Sequence, residues 1–284
     1  MEPAPAYVAA FAVATTLVLL VVFTLMQRAL YEHAVSRDLN EGNVARRLLR
    51  VGQVIAVFMV SSSVVKSGVQ GESIAHDITW VAAFGLTAVA LVSLTGRLGV
   101  QLLLSSRLPA ELARGNVAAG VAAAANYVAT GIVTAHAIGG NDLHGLGVSL
   151  VFFVLSQLTL HVFALLFRAL TTYDDAEQIA GENLAAALSY AGLVVAVALV
   201  VAHAVEGDFV NWNVSIRGYG KALIALVALY PVRQIFVQMV LLRAPFALRG
   251  GRLDVAVGAE RNVGMGALEA ATYVSTALAI SQLG

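Results

Sequence analysis

Apolar residues run along the chain in eight long blocks, separated by short stretches rich in charge, Gly or Asn. A helix needs about 20 mostly apolar residues to cross the hydrocarbon core of a bilayer. Blocks of that length fall over residues 7–27, 47–67, 78–103, 117–138, 146–169, 184–205, 218–242 and 262–282. The second opens among Arg46, Arg47 and Arg50, whose long side chains can snorkel to the headgroups. The first, AYVAAFAVATTLVLLVVFTLMQ, is too long for the apolar part of a signal peptide and has only Glu2 as a charge before it, so it reads as a true span. The pattern predicts an all-α polytopic membrane protein of eight transmembrane helices. Its connections are too short for a soluble domain.

A second pattern overlies the first. Four segments share a polar lead, an Asn and then a helix rich in small residues: EGNVARRLLRVGQVIA, RGNVAAGVAAAANYVA, GENLAAALSYAGLVVA and ERNVGMGALEAATYVS. Their Asn residues are Asn43, Asn116, Asn183 and Asn262, spaced by 73, 67 and 79 residues, the length of a helix pair with its loops. The eight helices are therefore expected to form four parallel helix-pair repeats, unlike the inverted repeats common in secondary transporters. Each Asn is placed to cap its helix by accepting a bond from an orphan N–H. If the four capped ends also converged on one vestibule, they would favour an anion there.

Composition agrees with a surface that faces lipid. Of 284 residues, 59% are hydrophobic and 12% charged, against about 25% charged in a soluble domain. Mean hydropathy is +0.83. The formal net charge of zero provides no basic field for nucleic acid, so no nucleic-acid partner is expected. The absence of Cys removes disulfides, thiolate metal sites and cysteine nucleophiles. The 25 Gly residues, with abundant Ala and Ser, suit close helix packing.

Charge also predicts topology. The loops that join odd to even helices carry Arg28, Arg37, Arg46, Arg47, Arg50, Arg107, Arg114, Arg168, Arg243, Arg249, Arg252 and Arg261, with Arg97 just inside. The opposite loops hold mainly Lys66, Arg217 and Lys221, with Glu72, Asp77, Asp142, Glu206 and Asp208. The positive-inside rule places the Arg-rich loops in the cytoplasm and both termini outside. The same Arg face could meet anionic lipid headgroups, although topology anchoring accounts for those charges by itself.

Charge inside an apolar run is the strongest pointer to function in a membrane protein. Arg233 lies about ten residues from the cytoplasmic end of the seventh block, and Glu269 lies seven residues past Asn262. At ~1.5 Å per residue both sit some 10–15 Å in from the cytoplasmic boundary, so an Arg233–Glu269 ion pair is expected. It serves either as a lock between the last two helices or as a site for substrate, ion or proton. The residues seven past the other three Asn are Arg50, Ala123 and Tyr190, so any such site is asymmetric. Pro231, two residues before Arg233, removes a backbone bond and bends the helix. Further polar groups lie at comparable depth: Gln53, Asn126, Tyr127, Thr130, Tyr190, Thr272, Tyr273, Gln234 and Gln238. Helix–helix hydrogen bonds account for most of them. Lining of a substrate or ion pathway is the sharper alternative for Asn126, Tyr127, Tyr190, Tyr273 and Gln234.

The six His residues show no close ligand spacing, and no metal or cofactor is expected. His136, His144, Asp142 and His203 could meet at the outer face, where they would respond to pH. TTYDDAEQIAGEN, residues 171–183, reads as a short amphipathic helix whose acids pair with nearby Arg. No catalytic motif is present: no G-x-S-x-G, no P-loop and no dinucleotide fingerprint. The chain is not expected to be an enzyme.

The repeat itself resembles the bacterial membrane family called domain of unknown function 350. GNVAAGVAAAANYVATGIV and TTYDDAEQIAGENLAAALSYAGLVV carry the likeness, with GNVARRLLRVGQVIA and RNVGMGALEAATYV as weaker matches. The resemblance implies two four-helix units in tandem, residues 1–142 and 143–284, in a bacterial inner membrane, and implies no established activity. Arg46, Arg47 and Glu269 depart from the shared pattern. The function expected is a channel or transporter for a small solute or ion. There Arg233 attracts or gates an anion and Glu269 neutralises it or carries a proton. The alternative is a non-transporting scaffold or accessory subunit that binds a partner membrane protein or lipid. Membrane lipids are the expected surroundings, and a homo-oligomer fits either function.

Overall fold

The computed structural model describes residues 4–30, 42–104, 107–206 and 209–283. All regular structure among them is helical: α1 Pro5–Leu30, α2 Val44–Gly68, α3 Ile74–Thr95, α4 Leu98–Leu104, α5 Leu108–Ala113, α6 Val117–Ala137, α7 Leu143–Arg168, α8 Asp175–Ala180, α9 Leu184–Ala204, α10 Trp212–Leu223, α11 Leu229–Arg233, α12 Arg252–Asp254 and α13 Val263–Leu283. Eight helical stretches are long and apolar enough to cross a membrane, one for each apolar block. The seventh extends further than its hydropathy suggests, from Trp212 to Leu241. The third is broken near Gly96 and resumes as α4. His33, Arg37 and Asp208 lie outside the described residues.

The core is a row of the four helices that follow the Asn residues, packed in the order α2, α6, α9, α13. The middle members α6 and α9 are the most enclosed, and the remaining helices lie around the row. Glycine sets the closeness of the row. A methyl group on Gly52 would lie 2.5 Å from the Ala124 Cα, and one on Gly120 would lie 2.7 Å from the Ala45 Cα. The same register recurs between α9 and α13. There a methyl on Gly266 would lie 2.7 Å from the Ala185 Cα, and one on Gly192 would overlap Ala270. At such separations dispersion between backbones replaces the hydrophobic drive that lipid cannot provide.

Each Asn caps its own helix. The side-chain oxygens accept from the N–H of Arg46, Ala119, Ala186 and Met265 respectively. Three of them also reach across the row. Asn43 Nδ2 donates to the Leu112 carbonyl at 2.8 Å, Asn116 to Ile179 at 2.8 Å and Asn183 to Val257 at 2.8 Å. Each acceptor lies four or five residues before the next Asn. The amides are therefore spent on backbone carbonyls that link one connection to the next, and they do not line a common anion vestibule.

Asp77 departs from its expected place in an outer loop. It sits in the first turn of α3, fully buried, accepting from Tyr7 Oη and the Gln70 N–H at 2.9 Å each. These bonds tie α1 and the α2–α3 turn to the start of α3 and compensate the burial of a carboxylate.

Candidate functional site

The seventh span changes its winding three times. After α10 it tightens into a 3-10 stretch, Ile224–Ala228, passes through α11 and opens into a π-helix, Gln234–Leu241. Pro231 lies within α11 and offers no N–H to the turn before it. Mid-helix 3-10 and π segments mark strain and are frequent at functional sites. Arg233 stands at the junction between the α and π windings, with no solvent exposure.

The expected ion pair is present, and it has a third member. Arg233 Nε donates to Glu269 Oε1 at 2.8 Å, and its Nη2 donates to Asp254 Oδ1 at 2.8 Å. Asp254 also accepts from the Thr172 N–H at 2.8 Å and from Thr172 Oγ1 at 3.2 Å. Asp254 lies eight residues before Asn262, in a segment that reads as a polar loop. That segment is drawn inward. Gln234 Nε2 donates to the Ala247 carbonyl at 2.7 Å, Gln238 Nε2 to Pro245 at 2.8 Å and Tyr230 Oη to Leu248 at 3.0 Å. These side chains satisfy carbonyls of an irregular backbone folded against the π-helix.

A second ion pair lies beside the first. Arg168, at the end of α7, makes a two-point contact with Asp175, at the start of α8. Arg168 Nη1 also donates to Ser189 Oγ of α9 at 3.1 Å, and its guanidinium lies 5.2 Å from the centre of the Tyr173 ring. Glu269 interacts electrostatically with Arg168, Tyr173 and Asp175 as well as with Arg233, so the two pairs form one site. Burial pushes the Asp175 carboxyl up despite its Arg168 partner, and pushes the Tyr173 phenol up to about 12. Arg233 Nη1 and Glu269 Oε2 are buried without a hydrogen-bond partner among the described residues.

The remaining candidates divide among several partners. Tyr273 is buried and interacts electrostatically with Arg233 and Glu269. Asn126 Nδ2 donates to Tyr190 Oη at 3.0 Å, which links α6 to α9. Tyr127, next to Asn126, instead reaches Gln27 Oε1 at 3.4 Å, where Gln53 also donates. Tyr190 also interacts electrostatically with Asp175 and Arg168, so Asn126, Tyr190 and Tyr273 adjoin the charged site, whereas Tyr127 and Gln53 meet Gln27 elsewhere. Gln234, expected on a pathway, spends its Nε2 on Ala247 and on Tyr230 Oη at 2.9 Å, so it supports the folded-in segment.

The family-model comparison finds two matches to the Domain of Unknown Function (DUF350), over residues 1–138 and 141–283. The chain belongs to the DUF350 family. No curated protein and no solved structure matches it. The two DUF350 units differ where the charges lie. Arg168 has a counterpart in Arg28, since both stand 15 residues before their Asn. At the positions of Asp254 and Glu269, however, the first unit has Leu108 and Ala123. The charged site thus belongs to the second DUF350 unit.

On the opposite side of the DUF350 chain a crevice of about 1670 Å³ is lined by residues that include Lys66, His136, Asp142, His203, Glu206 and Tyr219. Glu206 bridges His136 at 3.3 Å and His203 at 3.0 Å, joining the ends of α6 and α9. His144 and Asp142 line the same crevice. Among the described residues, no three His, Asp or Glu are placed to hold a metal ion.

Proposed function

We propose that this DUF350 protein moves a proton or a small cation across the membrane, with Glu269 as the exchanging carboxylate and Arg233 as its fixed countercharge. The carrying observation is the charge balance of the buried site. Among the described residues the cations paired with Asp175, Asp254 and Glu269 are Arg168 and Arg233, which leaves one negative charge over when all five are ionised. An unpaired buried charge is costly, and a proton or cation on Glu269 removes that cost. Both guanidiniums are engaged by carboxylates, which disfavours an anion as cargo. The winding changes around Pro231 and Arg233 supply a helix that can change shape, and the crevice opposite supplies an approach from the other side. In this scheme the eight helices are four parallel helix pairs in a bacterial inner membrane, with the Arg-rich loops in the cytoplasm and both termini outside. The protein carries out no covalent chemistry. Uptake of protons and of a panel of monovalent cations into proteoliposomes, with voltage and pH gradients varied, tests the proposal.

A second function has one observation in its favour. The row α2–α6–α9–α13 is packed through Gly and Ala contacts that leave little room between its members. Such a row suits a scaffold that binds a partner protein or lipid. The absence of flux for every ion tested, from folded and inserted protein, would favour it.

A further inference from the structure

The row of Asn-led helices is built on one repeated face. Counting from each Asn, the residues at two, nine and thirteen places on are Ala45, Gly52 and Ala56 in α2, Ala118, Ala125 and Ala129 in α6, and Ala185, Gly192 and Ala196 in α9. All nine are small, and all nine are buried. The face they form is covered in each case by the next helix of the row, whose residues four, eight and fifteen places on are again only Gly or Ala.

In α13 the same three places hold Gly264, Ala271 and Ser275, and all three are exposed. The face keeps the small residues that serve helix packing, but no helix among the described residues covers it. Ala267 and Ala279 are exposed as well, so Ala267, Ala271, Ser275 and Ala279 run every four residues along α13. Asn262 differs from its three counterparts in the same direction. Its oxygen caps α13, yet no carbonyl of the described chain receives its Nδ2.

We infer that this face of α13 is covered by the same face of α13 in a second copy of the chain, giving a dimer with its two-fold axis along the membrane normal. Its continuity with the three internal interfaces shows that the face is of a kind built for another helix. The other free end of the row, α2, points to which helix. Where every internal interface has Gly or Ala, the corresponding places on the exposed side of α2 include Val51 and Phe58. Val51 and Phe58 are 54% and 52% exposed, and Ile55 beside them is 41% exposed, a bulky apolar surface that lipid covers well. A second copy of α13 brings small residues to small residues and lets the two backbones approach. The arrangement is isologous and closes at two copies.

Cysteine cross-linking in native membranes tests the dimer, because the chain contains no Cys of its own. Ala271→Cys is expected to give an oxidised dimer band, whereas Val51→Cys on α2 and Leu158→Cys on the exposed side of α7 give none. In nanodiscs the wild type is expected to have the mass of two chains and Ala271→Trp that of one, with helicity unchanged because residue 271 makes no buried contact. Cross-linking of Ala271→Cys no stronger than that of Leu158→Cys would overturn the inference. So would a wild-type mass of one chain, or a dimer formed through Val51→Cys.

Discussion

Arg233 donates to one oxygen of Glu269 at 2.8 Å, while the other oxygen of that buried carboxylate has no hydrogen-bond partner among the described residues. A carboxylate held on one oxygen and unfilled on the other can bind a proton or ion at the open oxygen while Arg233 Nε keeps its hydrogen bond to Oε1; protonation removes the charge of the pair but not that bond. A purely structural lock would gain by filling both oxygens, since an unmet buried acceptor costs about 1–3 kcal/mol.

The neighbouring pair behaves differently. Arg168 and Asp175 contact each other at two points, and both side chains are almost wholly buried. Removal of one member strands the other, so Asp175→Ala is expected to destabilise the protein by about 3–5 kcal/mol. Arg168→Met with Asp175→Leu should recover most of that loss. Unfolding in mixed micelles with increasing denaturing detergent measures both.

Packing along the row of small residues is equally exacting. Gly192 faces Ala270 with no space for a side chain, whereas a methyl group on Gly147 would meet nothing within 4 Å. Gly192→Val is expected to lower stability by about 1–3 kcal/mol or more. Gly147→Val should change it little. Thermal aggregation profiles of the two variants in the same detergent compare them.

The Asn residues are not equivalent, although the sequence presents them as four copies of one signal. Asn116 caps α6 and donates to Ile179, and it is buried, while Asn262 caps α13 and is exposed. Loss of a cap costs about 1 kcal/mol. Asn262→Ala should cost about that much, and Asn116→Ala distinctly more, because the Ile179 carbonyl loses a donor as well. The difference between their unfolding midpoints is the quantity to measure.

Tyr173 sets a limit at alkaline pH. Burial raises its phenol from 10.0 to about 12, so the folded protein holds this proton more tightly than the unfolded chain does. The stabilisation from this group is therefore complete below pH 10 and is lost as pH rises toward 12. The wild type should lose stability over that range faster than Tyr173→Phe, as denaturation series at fixed pH steps would record.

The spans were readable because each is a long apolar block, and Arg233 and Glu269 were readable because each interrupts such a block. Asp254 was not. It belongs to a stretch with Arg249, Arg252, Gly250 and Gly251 that has the composition of a solvated loop, and it is buried because Gln234, Gln238 and Tyr230 fold that stretch inward. Asp175 was expected to pair with Arg, but its depth follows from where α8 docks, which no local pattern encodes. The repeat spacing announced four Asn caps. Their second bonds, from each Asn to the connection before the next, depend on how the helices stack and so could not be read locally.

The most direct measurement is ion uptake into sealed proteoliposomes by the wild type and by Glu269→Gln, which keeps the shape of the side chain and removes its charge. A variant on the exposed side of α7, Leu158→Ala, serves as the control, and each protein is first shown to be folded and inserted. The wild type should take up protons or a monovalent cation down an imposed gradient. Glu269→Gln should lose that flux while Leu158→Ala keeps it. Flux by Glu269→Gln equal to that of the wild type would contradict the role assigned to the carboxylate.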